Sequence, residues 1–517
     1  MLRLNKMDVD SYLEILTPLL RLTEENLKRF RKESKRLPPF IPILLKDNIP
    51  WIDVATIELG LLDIPGVSIE ESTHRVYLFG ENLSHLIGYV GLPNESECAQ
   101  DKDLLDIRVG KSGLEKVFNL TLRGEPGLRK VEVNARGRPV RDLSQDNPIP
   151  GRDIYSTIDL DLQQRLMEDL SKFPSAAGVL MNVNSGEILA LGSQPSYDPH
   201  LFSEGISQKE WKNLQKNPFT PLINKAIGGL YAPGSPFKMC VALAALEKGV
   251  IDEHTATVCA GYTLLGQHRF HCWRKESHGR LTIKDAFKHS CDIYFYEAGR
   301  RVGIDAIAEM ATRLGIGVDY QLGLSGEKKG HVPSKAWKLK KFHQPWYLGE
   351  TYNVAIGQGY VLTTPLELAV MTARLVNGGK CVVPRLSLGG DSVSFDLIGV
   401  QEKYLHLILE GMGKVCNEPG GTAYRARIQE PGFFMGGKTG TSQVRRITMS
   451  ERAQGVRKTH QLDWKLRNHA LFVGFAPFDC PQYVASILIE HGGDGVGAAP
   501  IAQRLLLAAQ KKEMTRG

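Results

Sequence analysis

Ser235 and Lys238 stand three residues apart in the run Ala232-Pro233-Gly234-Ser235-Pro236-Phe237-Lys238, which opens an apolar stretch ending near Lys248. On a helix, positions i and i+3 share a face, so the Lys238 nitrogen can touch the Ser235 hydroxyl. A serine hydroxyl is a poor nucleophile until a neighbouring base or a positive field favours its alkoxide. A helix N-terminus adds positive potential and backbone donors suited to an oxyanion. Both residue types are common, however, and taken alone an N-capped amphipathic helix is the better account of the pair.

Two further groups change that weighting. Ser290-Cys291-Asp292 lies in a helical region after Asp285-Ala286-Phe287, and Gly436-Gly437-Lys438-Thr439-Gly440-Thr441-Ser442 reads as a glycine-flanked strand. A nucleophilic serine, a second serine within reach of proton traffic and a strand-borne lysine are the parts of an acyl-transfer site.

A second constellation lies between the first two groups. Cys259, Cys272, His278 and Cys291 are separated by 12, 5 and 12 residues. Three thiolates and one imidazole make a closed tetrahedral set, the ligand type of structural zinc. The spacing is not the paired C-x-x-C of zinc fingers, so a Cys259 to Cys272 disulfide and buried free thiols stay open beside zinc. His268 and His271 lie close enough to substitute for a ligand. Cys98, Cys240, Cys381, Cys416 and Cys480 are scattered and read as buried or incidental.

The elements that must position these residues begin late in the chain. Asp153 to Ile158 looks like a strand, Asp159 to Leu170 a capped helix, and the apolar runs 177–183 and 186–191 a hairpin turning at Asn184-Ser185. The pattern returns at Leu471 to Ala476 and Tyr483 to Ile489, and a helix from Ala499 to Lys511 closes the chain. Two early strands, a long helical insert, late strands and a terminal helix predict one antiparallel sheet flanked by helices, an α+β fold. Before them, Tyr12, Ile15, Leu16 and Leu19 recur at helical spacing, with Pro18 a break point. Val131 and Val133 alternate ahead of the turn-like Asn134 to Arg138. The Pro-rich stretch Asn147 to Gly151 marks the main boundary, dividing the chain into residues 1–150 and 151–517.

Composition excludes several classes. With 517 residues, 42% hydrophobic and 23% charged, the chain is a loop-rich globular protein of more than one domain. Its net charge of +7 is spread thinly and makes no case for nucleic acid. The basic clusters Lys28 to Arg36 and Lys335 to Lys341 read as solvated faces, with affinity for an anionic membrane or wall polymer the alternative. No segment approaches the ~18 consecutive apolar residues of a membrane helix, and Met1 to Arg36 lacks a signal-peptide layout.

The three motifs, in this order and with these flanks, resemble the class B penicillin-binding proteins, and among them the elongation-type penicillin-binding protein 2 family. Gly110-Lys111-Ser112-Gly113-Leu114-Glu115, Leu122-Arg123-Gly124, Asn353 to Tyr360 and Thr364-Pro365 extend the resemblance over most of the chain. It implies a penicillin-binding transpeptidase domain behind an N-terminal pedestal of the dimerisation type. It also implies peptidoglycan D,D-transpeptidation, in which Ser235 attacks the penultimate D-alanine of a stem peptide and Lys238 takes its proton. Ser290 would relay a proton to the leaving amine and Asp292 would orient groups in the cleft, Asp rather than Asn being the elongation subclass's choice. Lys438 would hold the terminal carboxylate with Thr439 and Thr441, Gly440 would let the substrate backbone lie along the strand, and the N–H groups of Ser235 and Thr441 would form the oxyanion hole. A β-lactam would acylate Ser235.

The resemblance bears on the thiol cluster too, since members of this family can carry a metal in this region, with aspartates at the first two positions and His and Cys at the last two. Cys259 and Cys272 replace those aspartates here, softer ligands that favour zinc. The resemblance further implies work at the periplasmic face of the bacterial inner membrane, through a membrane anchor absent from this sequence, and a polytopic SEDS-type glycosyltransferase partner. Two rivals stay open: a carboxypeptidase-like or β-lactamase-like hydrolase, against which no deacylating carboxylate can be identified, and a β-lactam sensor or scaffold without turnover.

Overall fold

The computed structural model describes residues 9–516 except 37–42, 48, 62–63, 65–66, 70–73, 101–107, 134–138, 389–393, 446–450, 452–456 and 458. The chain forms two compact units. The first comprises Met1–Leu78, Arg123–Gly151 and Ser203–Gly205; the second comprises Phe79–Leu122, Arg152–Phe202 and Ile206–Gly517. One crossing falls at Gly151, in the stretch that the prolines mark. Residues 79–122 nevertheless belong to the second unit, because Leu83, Leu86 and Leu114 pack into its core.

In the first unit, helices Val9–Leu20 and Glu24–Arg36 bury Leu13, Leu16, Leu20 and Phe30 with Ile57 and Leu61 of helix Trp51–Leu61. Pro18 does not break the first helix, which ends two residues later; a proline this near the end removes a single backbone bond. Of the four residues that set the sequence pattern, Leu16 is buried, Leu19 packs beside the core, Ile15 is half exposed, and the side chain of Tyr12 lies outside the described residues. Strands Leu128–Val133 and Pro139–Asp146 pair antiparallel, so Val131 and Val133 do mark a strand, while the turn at 134–138 lies outside the described residues.

The second unit is built on five antiparallel strands: β1 (Ala176–Asn182), β2 (Ile188–Gln194), β3 (Gly436–Ser442), β4 (His469–Ala476) and β5 (Tyr483–Ile489). Their order is β3-β4-β5-β1-β2, which leaves β3 on an edge with one row of backbone groups unpaired by the sheet. Helix Leu160–Leu170, capped by the Asp159 carboxylate accepting from the Leu162 N–H, packs on β2, and helix Ala499–Arg516 packs on β4 and β5. Helix Pro365–Val376 is buried along its whole length between the sheet and helix Glu402–Asn417, as its apolar sequence requires.

The segment from Asp153 to Ile158 is not a strand. Its only pairing is a bridge between Ser156 and Ser387, and the Thr157 hydroxyl donates to Ile188 O at 2.6 Å. The segment ties β2 to residues 385–388 instead of extending the sheet. No helix among the described residues is long and apolar enough to cross a membrane.

Candidate active site

Ser235 opens a single 3-10 turn, Ser235–Phe237, that runs into helix Lys238–Glu247. Pro236 fits at the start of this turn, where its missing N–H leaves no bond unmade. Gly234 precedes it with φ +61°, and its N–H donates to Gly357 O at 2.8 Å. Gly357 has φ +72°, and a Cβ there would lie 2.0 Å from Gly234 O. Both glycines are therefore required by the backbone approach that fixes the nucleophile. A Cβ on Gly234 would also meet Thr441 O at 2.7 Å and Thr441 N at 3.0 Å, so the backbones at Ser235 and Thr441 run side by side.

Ser290 sits between helices Ile283–Lys288 and Asp292–Val302 with φ +52°, a conformation that residues other than glycine rarely hold. Its Oγ donates to Ser235 Oγ at 2.9 Å and accepts from Lys438 Nζ at 2.9 Å and Lys238 Nζ at 3.3 Å. Lys238 Nζ also donates to Ser290 O at 2.8 Å and to Asp292 Oδ1 at 2.7 Å. Lys238 thus reaches the nucleophile through Ser290, where the sequence spacing suggests direct contact.

Both lysines are fully buried, and the one carboxylate among them, Asp292, is bonded to Lys238. Burial, reinforced by the neighbouring Lys238 charge, holds the Lys438 amine well below the usual lysine range. Lys438 also donates to Thr439 O at 3.1 Å, and its enclosure leaves the hydroxyls of Thr439 and Thr441 as the more accessible groups on β3. Gly440 serves the protein's own packing, because a Cβ there would lie 2.6 Å from Pro236 Cδ.

Three contributors escape a reading by residue type. The Trp273 N–H donates to Asp292 Oδ2 at 2.9 Å, fixing the carboxylate from the side opposite Lys238. The Thr422 and Thr439 hydroxyls share a hydrogen bond of 2.8 Å. The Gln358 side chain donates to Thr441 O at 2.8 Å. Gln358 lies within one of the runs that carry the family resemblance, which was the available signal; Trp273 and Thr422 have none beyond proximity in the fold.

The thiol cluster assembles behind this site. Strand Thr257–Cys259 pairs with Gly279–Leu281 so that Cys259 faces Gly279, which brings His278 beside it. His278 Nδ1 lies 3.4 Å from Cys259 Sγ and 3.6 Å from Cys272 Sγ, and all four donor atoms of Cys259, Cys272, His278 and Cys291 lie within 4.8 Å of one another. All eight cysteines are free, so the Cys259 to Cys272 disulfide is not formed. His268 and His271 are not part of the group. A hydrogen bond with Cys291 holds Cys272 well below the ordinary thiol range, while that bond and burial push Cys291 up. A tetrahedron with Zn–S and Zn–N bonds of ordinary length has S···N edges of about 3.6 Å. The donor set and its dimensions fit zinc.

The arrangement is a serine nucleophile, a bridging hydroxyl, two buried lysines and an open strand edge. A family model for the penicillin-binding protein transpeptidase domain matches residues 176–507, and one for the penicillin-binding protein dimerisation domain matches residues 2–156. The peptidoglycan D,D-transpeptidase MrdA of Escherichia coli is 35% identical over 518 residues, covering 96% of this chain and 81% of that protein. Among solved structures, a complex of Helicobacter pylori PBP2 with MreC matches with a TM-score of 0.86 at 28% identity, over 98% of this chain and 92% of that one. A peptidoglycan synthase complex, described as coordinating polymerization and crosslinking, matches with a TM-score of 0.74 at 31% identity, over 97% of this chain and 85% of that one. Motifs, sheet order and the match along nearly the whole chain agree: it belongs to the penicillin-binding protein transpeptidases, alongside the MrdA (PBP2) proteins.

Proposed function

We propose that this protein is a serine D,D-transpeptidase that cross-links peptidoglycan stem peptides during cell-wall elongation and is acylated by β-lactams. The observation that carries the reading is the Ser290 hydroxyl, bonded at once to Ser235, Lys238 and Lys438. Ser235 Oγ attacks the penultimate D-alanine carbonyl as its proton passes to the Ser290 hydroxyl, which hands its own proton to a buried lysine amine bonded to it, the part that the resemblance gives to Lys238. The oxyanion lies at the N–H groups of Ser235 and Thr441. Collapse breaks the peptide bond, and the proton returns through Ser290 to the departing D-alanine amine. The terminal carboxylate rests on Thr439 and Thr441 under the field of the buried lysines, and an acceptor amine then takes the acyl group from Ser235.

Cys259, Cys272, His278 and Cys291 would hold a zinc ion that supplies no chemistry to the reaction and braces the Ser290 turn. Catalysis of this kind uses lipid-linked substrate, which places the working site at the periplasmic face of the inner membrane. A polytopic SEDS-type glycosyltransferase is the partner; the match to a structure that couples polymerization and crosslinking supports it.

Labelling with a fluorescent penicillin, followed by intact mass, tests the core of the proposal. Wild type should carry one long-lived adduct and Ser235→Ala none. Equal labelling of both would place the nucleophile elsewhere, and rapid loss of the adduct would favour a hydrolase.

A further inference from the structure

The basic run near Lys335 to Lys341 is not absorbed by the catalytic site, and its surroundings are unusual for a merely solvated face. Helix Lys335–Phe342 carries four lysines and no acid, and ends at His343 in the left-handed conformation. Lys335 and Lys338 are engaged by Asp305 and Glu350, whereas Lys340 and Lys341 stand exposed. The Lys341 ammonium lies 5.4 Å from the Trp337 ring centre and 5.7 Å from that of Phe342. Tyr360 joins them, 5.2 Å from Trp337 and 5.5 Å from Phe342. Phe342 is 40% exposed and Tyr360 38%, so two aromatic faces meet water beside a cation.

A short length of chain, Gly357-Gln358-Gly359, joins this cluster to the catalytic site. Tyr360 follows Gly357 and Gln358, of which the first contacts Gly234 and the second bonds Thr441 O and accepts from the Gln443 N–H at 3.3 Å. In the reaction proposed above, the substrate carboxylate rests at Thr439 and the reacting carbonyl at Thr441. A donor extended past Thr441 meets Gln358, and Tyr360 stands two residues further along that segment.

We propose that Tyr360, Phe342 and Lys341 form a subsite for the distal part of the donor muropeptide, the aromatic faces taking the C–H face of a sugar ring and Lys341 a free carboxylate of the stem. The inference rests on the transpeptidase reading. Its chemistry is the usual pairing of aromatic faces with apolar sugar surface and of an ammonium with a carboxylate. Penicillin is too short to reach the strip, which gives a way to separate the two claims.

The experiment is protection of the full-length protein against fluorescent-penicillin labelling by two competitors, a disaccharide-pentapeptide and the bare D-alanyl-D-alanine dipeptide. Wild type should be protected by the disaccharide-pentapeptide at a concentration at least about tenfold lower than by the dipeptide. Phe342→Ala and Lys341→Glu, both at the exposed end of the helix, should label with penicillin at the wild-type rate and lose most of that tenfold advantage. Equal protection by both competitors in wild type, or an advantage unchanged in both variants, overturns the subsite while the labelling itself upholds the transpeptidase. If the variants lose binding to anionic vesicles instead, the strip is a membrane contact and the inference is wrong. Failure of wild type to label at all would sink the transpeptidase reading, and the subsite with it.

Discussion

Replacing Ser290 by alanine and by glycine separates its chemical role from its conformational one. Its hydroxyl makes three hydrogen bonds, to Ser235 and both buried lysines, and so links the nucleophile to both amines. Either replacement removes the relay, so acylation by penicillin should fall about 10²–10⁴-fold, the usual worth of general acid–base catalysis. Stability should divide the two. Alanine leaves the buried lysines short of a partner, at a cost of about 1–3 kcal/mol, and keeps a side chain at φ +52°. Glycine suffers the same lost bonds but is free of the left-handed penalty, about 1–2 kcal/mol. The glycine variant should therefore be the more stable of the two by about 1 kcal/mol in urea unfolding, and no more active. Second-order labelling rates and denaturation midpoints on the same preparations decide it. Acylation within threefold of wild type in both variants would refute the relay; a glycine variant less stable than alanine would refute the strain.

Other outcomes follow from single features. Elemental analysis should find one zinc per chain, and a strong chelator or Cys272→Ser should lower the melting temperature and slow acylation together; a metal-free protein with full activity would contradict the donor set's fit. Gly357→Ala should cost at least about 3 kcal/mol and most of the labelling, because a Cβ 2.0 Å from Gly234 O forces backbone movement next to the nucleophile. Lys225 is buried under the sheet edge, and burial, partly offset by Glu490, lowers its pKa to about 8. The unfolded lysine keeps its proton up to about pH 10.4, so this residue's contribution to stability should rise from pH 8 to pH 10 and be smallest below pH 8. Lys225→Met should flatten that rise in pH-dependent urea unfolding, and an unchanged slope would assign it to another group.

What the sequence makes legible depends on how local the determinant is. The hairpin of β1 and β2, the Asp159 cap and the strand β3 each rest on a few adjacent residues, and each forms where those residues predict. Asp153 to Ile158 misleads because its alternating isoleucines satisfy strand periodicity while its backbone partners, near Leu189 and Leu386, lie far off in the chain. The i, i+3 argument for Ser235 and Lys238 considers only local neighbours. Ser290, 55 positions away, is bonded to both the hydroxyl and the amine and bridges them. Nothing in the triplet announces a left-handed serine, since its conformation is imposed by the two helices it joins.

The irregular spacing of the thiol cluster has the same origin and carries a consequence. Cys291 is both a donor of the cluster and the middle residue of the Ser290-Cys291-Asp292 triplet, where it stands at the N-cap of helix Asp292–Val302. On one side of it stands Ser290 in a disfavoured conformation; on the other, Asp292 is held by Lys238 and the Trp273 N–H. Trp273 itself follows Cys272, so two of the four donors are covalently adjacent to groups that set the catalytic hydrogen bonds. A bound ion would fix Cys272 and Cys291 to each other, and through them the Trp273 N–H to the Asp292 carboxylate. Without it, a strain of about 1–2 kcal/mol at Ser290 is opposed by fewer contacts and can relax by turning the hydroxyl away from Ser235. Loss of the relay should then precede loss of the fold, with acylation declining at chelator concentrations that leave the sheet and its core intact.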